Sequence, residues 1–203
     1  NCLMASFKAV LGLDTALNGC SIGLVAPQLG APLTQKIETV RGQAEILVPE
    51  IEALFERAGL SYSDLDSILV TNGPGAFAGL RIGLSTAKAL GVSTGLPVYG
   101  LSTCDAIALS VQAHHNIQGP FAVILETKRS DFYMQIFDHN LKPLTLPFAK
   151  PSQEALESIE DHGVQWLFGN AVERFVDEAQ INISRHHVEL SDMAAVLTDF
   201  LSN

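Results

Sequence analysis

The hydrophobic period of this chain changes in an order that few folds can accommodate. Residues 7–13 are a short apolar run rich in strand formers, closed by Asp14, Thr15 and Ala16. Asn18-Gly19 follows, a strong hairpin signal because both residues tolerate the positive φ of tight turns. Residues 20–26 read as the returning strand, 27–32 as a turn cluster and 33–40 as a third strand. Three strands joined this tightly predict an antiparallel meander. The period then becomes helical: Ala44, Leu47, Val48, Ile51, Leu54, Phe55 and Ala58 share one arc, with Glu45, Glu52 and Glu56 opposite. Gly59 is a natural stop, and Pro49 inside the run deletes one hydrogen bond and is expected to kink the axis. A buried strand over 67–71 is broken by Asn72-Gly73-Pro74-Gly75. A helix over 78–92, a strand over 97–101 and a helix ending at 113 follow, the last opened by a capping pattern from Ser102 to Asp105.

Strand-strand-strand-helix-strand-helix-strand-helix is the first half of the ribonuclease H-like, actin-like (ASKHA) α/β architecture. The second half reads as a worn topological repeat. Strands are expected over 121–126, 132–137 and 143–148, then a helix over 152–161 capped by Ser152 behind Pro151. A strand over 165–169, a helix over 170–178 and a closing helix over 191–201 complete it. The expectation is two lobes, each with a mixed sheet: 5–113 with two outer helices, and a smaller, divergent 114–203.

Composition narrows the function classes. In 203 residues, 47% are hydrophobic and 17% charged, which excludes a disordered chain. No run approaches the roughly 20 apolar residues of a spanning helix, so no membrane partner is expected. Twelve basic against 22 acidic residues leave a net charge of -10, so the whole chain cannot condense on phosphates as a polycation. Any RNA must be gripped mainly by something else. Cys2, Cys20 and Cys104 show no metal-ligand or disulfide-scaffold spacing, which suits a reducing cytoplasm. The first methionine is Met4, residues 1–3 read as a leader or expression scar, and Lys8 and Asp14 interrupt any signal-peptide core.

Four features could carry chemistry. Gly79, Gly83, Ala87 and Gly91 recur every fourth residue along the second helix. Helical glycine costs about 1 kcal/mol against alanine, so another backbone is expected to approach closely. Leu80, Ile82, Leu84, Ala89 and Leu90 flank the stripe, and only Arg81, Ser85 and Lys88 make a polar strip. Two readings stay open: burial between sheet and first helix, or a docking face for a partner's helices. The Gly73/Gly75 loop can cradle phosphate or be a structural turn; it has neither P-loop nor dinucleotide spacing. Asp14-Thr15 can hold metal and phosphate, or Asp14 can close its own turn by an Asx bond. Lys128-Arg129 form either a solvated hairpin tip or a local basic spot for phosphate or RNA. Among His114, His115, His139, His162, His186 and His187 no pair has i,i+4 spacing, and no nucleophile elbow exists. Neither a metal nor a cofactor is expected.

Segment 70–91, with G-P-G-A-F-A-G-L-R-I-G from Gly73, closely resembles the signature of the bacterial TsaB (YeaZ) family. That family reads G-P-G-S-F-T-G-L-R-I-G, so Ala76 and Ala78 replace serine and threonine. Leu13-Asp14-Thr15-Ala16 resembles its I-D-T-A/S opening, and Gln43-Ala44-Glu45-Ile46-Leu47-Val48-Pro49 its H-S-E-x-L-L-P segment. Gly100-Leu101-Ser102-Thr103 matches G-V/I-S-T/S. The resemblance covers about the first 135 residues. The family's P-x-Y-x-R near the C-terminus is absent, which implies a truncated or divergent tail.

The resemblance implies a non-catalytic subunit of tRNA threonylcarbamoyladenosine synthesis. It would bind TsaD, with TsaE joining, dimerise with itself when alone, and meet tRNA only through the complex. TsaD transfers a threonylcarbamoyl group to the adenosine beside the anticodon of tRNAs reading codons that start with A. The implied interface is Val48, Glu52, Phe55, Phe77, Leu80, Arg81, Leu84 and Lys88 on the two outer helices. Asp14, Thr15, Gly73 and Gly75 would be a vestigial phosphate loop. Catalytic relatives carry a His-x-x-x-His metal pair where this chain has Gln43 and Leu47. Peptidase activity, suggested by an older family description, is not expected. The alternative is a small ATP-binding kinase or ATPase of the same superfold.

Overall fold

The meander forms β1 (Val10–Asp14), β2 (Gly19–Val25) and β3 (Leu33–Glu38) in the computed structural model, which describes residues 9–202. The expected strand start at Phe7 and the leader at 1–3 lie outside the described residues. β1–β2 and β2–β3 pair antiparallel. The helical arc becomes α1 (Gln43–Ala58), continuous through Pro49 and closed by Gly59, whose φ of 64° is left-handed. β4 (Ser67–Thr71), α2 (Phe77–Thr94), β5 (Val98–Leu101) and α3 (Thr103–His114) follow. β4 joins β1 and β5 joins β4, both parallel, giving the order β3-β2-β1-β4-β5.

The second half builds the same pattern. Its elements are β6 (Phe121–Glu126), β7 (Asp131–Phe137), β8 (Phe148–Pro151), α4 (Ser152–Asp161), β9 (Trp166–Gly169), α5 (Val172–Ala179), β10 (Ser184–His187) and α6 (Met193–Ser202). The order β10-β9-β6-β7-β8 is the first sheet's topology read from its other edge. Two mixed five-stranded sheets with helices make the actin-like, ribonuclease H-like α/β fold.

Four local expectations are corrected. The third strand of the second half is not 143–148 but β8. Pro143 makes an isolated bridge to Phe137, and the Ile136 N–H donates to the Thr145 hydroxyl at 3.1 Å while the Ile136 carbonyl accepts the Leu144 N–H at 2.8 Å, so the regular ladder is interrupted there. β10 was not expected: Ser-Arg-His-His has no apolar run, and backbone pairing to β9 makes it a strand. Pro151, not Ser152, holds the capping position of α4. Ser102 precedes α3 without a side-chain cap, and its hydroxyl is buried and unpartnered.

Alternation along β1 divides the first sheet's two faces. On one face Leu11, Leu13, Ile22, Leu24 and Ile68 pack with Leu47, Ile51 and Leu54 of α1. Each such fully buried aliphatic side chain contributes about 1.5–3 kcal/mol. On the other face Val10, Val25 and Leu69 meet Met193, Val196 and Leu197 of α6. Gly12 and Gly23 oppose one another in register beneath α6. A Cβ on Gly23 would stand 2.6 Å from the Met193 Cβ, so the bare backbone sets how closely the helix lies. α3 in turn puts Cys104, Ile107 and Val111 against Phe121, Val123 and Phe168 of the second half. Each half thus lends its last helix to the other half's sheet.

Candidate functional site

Ligands of open α/β sheets bind beyond the carboxyl ends of the strands. Here residues 14–17, 72–76 and 102–103 converge at the ends of β1, β4 and β5. Asp14 is 1% exposed. One carboxylate oxygen accepts the Ala16 N–H at 3.0 Å and the Thr71 hydroxyl at 2.7 Å. The other accepts the Ser191 hydroxyl, while the Ser191 carbonyl accepts the Ser21 hydroxyl at 2.8 Å. Donors from this chain therefore engage both oxygens.

The glycine loop is engaged in the same way. Ala76 N–H donates to the Ala16 carbonyl at 2.7 Å, and Thr103 N–H to the Gly73 carbonyl at 2.9 Å. A Cβ on Gly75 would stand 2.4 Å from the Ala16 oxygen. The hairpin turn is thus seated on the loop, and an amide at the start of α2 points into the protein. The Thr15 hydroxyl donates to the Gly79 carbonyl at 2.7 Å. Added Cβ atoms would meet the Thr15 carbonyl oxygen at 2.1 Å from Gly79, Thr15 Oγ1 at 2.3 Å from Gly83 and Val98 Cγ2 at 2.6 Å from Gly91. With Ala87 fully buried, the small stripe lies against its own hairpin turn and β5.

Gln43 is buried, and its Nε2 donates to the Leu17 carbonyl at 3.0 Å. Leu47 is fully buried in the core. Gln43 and Leu47 are thus a tether for the hairpin and a core leucine. Among the described residues no three His, Cys, Asp or Glu side chains are grouped to hold a metal. Burial, with Asp14 and Glu50 nearby, pushes the Cys20 thiol up to about 11. Burial, with Asp105 nearby, pushes that of Cys104 up to about 12. Both are protonated at neutral pH and poor nucleophiles.

The outward faces of α1 and α2 are different in character. α2 turns Phe77, Arg81, Ser85, Lys88 and Val92 to solvent, with Phe77 68% and Val92 86% exposed. The Arg81 guanidinium lies 3.8 Å from the Phe77 ring centroid. Leu80 and Leu84 are half-buried, and a shallow groove of about 480 Å³ runs along Arg81, Ile82, Leu84, Ser85 and Lys88. On α1, Val48 is 44% exposed and Glu52 is exposed. Phe55 leaves the expected face: it is 4% exposed and packs against Tyr62 with centroids 4.7 Å apart and planes tilted by 45°. The reason is geometric, since Leu47, Ile51, Leu54 and Phe55 are the stripe that faces the sheet.

At the β6–β7 hairpin, Arg129 pairs with Asp131 at 3.3 Å, and Lys128 takes a φ of 60°. Sequence reasoning missed the ion pair beside it. Arg174 meets both Glu126 oxygens at 2.8 and 3.0 Å while stacked 3.8 Å over Phe132. A pair 48 residues apart leaves no local signal.

Fold and site together define a two-lobed, actin-like α/β protein whose ligand-side loops are hydrogen-bonded to its own chain. The family model described as TsaD, tRNA N6-adenosine threonylcarbamoyltransferase, matches residues 37–193. This chain belongs to that family, and it is similar to TsaB (YeaZ) proteins. It is 29% identical over 174 residues to the tRNA threonylcarbamoyladenosine biosynthesis protein TsaB of Buchnera aphidicola, covering 83% of this chain and 77% of that one. It is 34% identical over 127 residues to an uncharacterized protein of Mycobacterium tuberculosis, covering 62% of this chain. That match spans only 57% of the mycobacterial protein. The solved YeaZ of Pseudomonas aeruginosa has the same fold, with a TM-score of 0.80, 21% identity and coverage of 96% and 91%. Among the described residues no helix is long and apolar enough to cross a membrane.

Proposed function

We propose that this chain is a non-catalytic scaffold and activator subunit of tRNA threonylcarbamoyladenosine synthesis. It binds TsaD, with TsaE, for modification of the adenosine beside the anticodon in tRNAs reading codons that start with A. The observation that carries the reading is the outward side of α1 and α2. Phe77, Val48 and Val92 are exposed there, beside a groove along Arg81, Leu84 and Lys88. Exposed apolar side chains rimmed by polar ones suit a protein partner. Alone, the same face would pair with a second copy. The net charge of -10 supports contact with tRNA through the complex rather than directly. The cytoplasm is the matching compartment.

The test is co-purification with TsaD followed by a tRNA modification assay. Val48→Asp and Leu84→Asp should each weaken capture at least about tenfold, as desolvating a charge at an interface centre does. Unchanged capture with both variants would move the docking face elsewhere. The ATP-binding alternative has a separate test, calorimetry with ATP and magnesium. The donors already on Asp14 and the Ala76 N–H bond to Ala16 speak for no micromolar binding.

A further inference from the structure

Four rings meet where the end of α3 crosses the edge of the second sheet. Trp166 and Phe168 stand two residues apart on β9. His186 of β10 stacks on Trp166, with centroids 5.7 Å and planes 19° apart, and on Phe168 at 5.4 Å and 12°. His115, just past α3, lies 4.7 Å from His186 and 5.2 Å from Phe168. The two imidazoles are thus in ring contact and bring helix and edge strand together.

β10 is four residues long and, among the described residues, pairs only with β9. The chain beyond it is bonded from Val188 N–H to the Gly169 carbonyl at 3.2 Å. It then reaches Ser191, the donor to Asp14, and enters α6. A change at His186 therefore acts on the segment that anchors α6 to the first sheet.

The charged surroundings are asymmetric. His114 of α3 meets Asp192 at 2.6 Å, and His187 of β10 meets Glu189 at 3.0 Å. Each outer histidine thus has a carboxylate partner. Arg185 of β10 pairs with Glu173 of α5. β9 brings Trp166 and Phe168 to the pair, and His115 shares an open groove with His114, His139 and uncharged side chains. Among the described residues no carboxylate pairs with either inner ring. One imidazolium can stack favourably on Trp166 or Phe168, but two in ring contact repel.

We propose that His115 and His186 form a proton-sensitive joint between α3 and β10. The joint is closed while at most one ring is charged and opens when both are, loosening the 184–191 segment and the Ser191 anchor of α6. Burial first, then the neighbouring His186 and His114, hold His115 below the usual imidazole range, in the same direction.

Amide hydrogen exchange, corrected for intrinsic rates, tests this on the full chain between about pH 7.5 and about pH 5, the span in which histidine titrates. In the unaltered chain, protection over 184–191 should fall by about tenfold per unit by which His115 is held down. His186→Phe preserves the stack and removes one charge, so it should keep its protection at both pH values. His115→Phe should do the same, and His114→Gln should leave the fall in place. NMR titration of the ring protons should give coupled midpoints for His115 and His186, merging to one simple titration of the remaining histidine in either Phe variant. Unchanged protection in the unaltered chain, an equal fall in both Phe variants, or independent titrations would each overturn the proposal.

Discussion

Asp14 draws donors from its own turn, from β4 and from a serine 177 residues away. Ser191→Ala removes one of them without changing the carboxylate. Leaving a buried acceptor short should cost about 1–3 kcal/mol, read as a lower urea midpoint at unchanged slope. Gly79 offers the complementary case. Alanine there gains about 1 kcal/mol of helix propensity. The added Cβ would stand 2.1 Å from the Thr15 carbonyl oxygen, so the net effect should be a loss of about 1–3 kcal/mol in the same measurement. The glycine period was enough to demand a close neighbour, because nothing else offsets glycine inside a helix. It could not say that the neighbour is the chain's own hairpin turn. Ser191 left no sign at all, since a lone serine carries no record of a distant carboxylate.

Elements were legible where one period runs long. α1 occupies 43–58 as its arc predicts, and the meander and its parallel additions follow from the order of periods. The arc did not separate its inner from its outer edge, so Phe55 was assigned outward and lies inward. Short polar strands were illegible, and β10 holds by backbone pairing that side-chain patterns do not encode. The seating of α6 is a sharper case. Gly23→Ala places a Cβ 2.6 Å from the Met193 Cβ, which cannot swing away as the end of a side chain can. Overpacking of about 1–3 kcal/mol should follow. Thermal melting should show it, with exchange protection falling first in α6.

For the molecule as a whole, the exchange of closing helices makes stability depend on both halves at once. α6 lies on the first sheet while α3 packs against the second, so loss of either should loosen both. Acid weakens this arrangement through His115 and Asp192, whose shifts are both downward. His115 is held down in the fold by burial and by its histidine neighbours, so the folded state takes up its proton later than the unfolded chain. Its contribution is complete above the unfolded value of about 6.5 and is lost as pH falls through the folded value. Burial raises Asp192, but the His114 hydrogen bond and the Ala194 N–H outweigh it, so its net shift is downward. Its contribution is present above about pH 4 and lost below that. Urea midpoints should therefore decline in two stages, and His115→Phe should remove only the first.

What the sequence determined by itself is the opening meander, the long helices, the stripe of close approach and the family, because each is written in local period or spacing. The tertiary structure decided what those features touch. It set Ser191 on Asp14, the hairpin turn on the glycine loop, His186 under His115 and each closing helix on the opposite sheet. Such contacts join residues far apart in the chain, and only the packing of whole elements brings them within hydrogen-bond or ring-contact range.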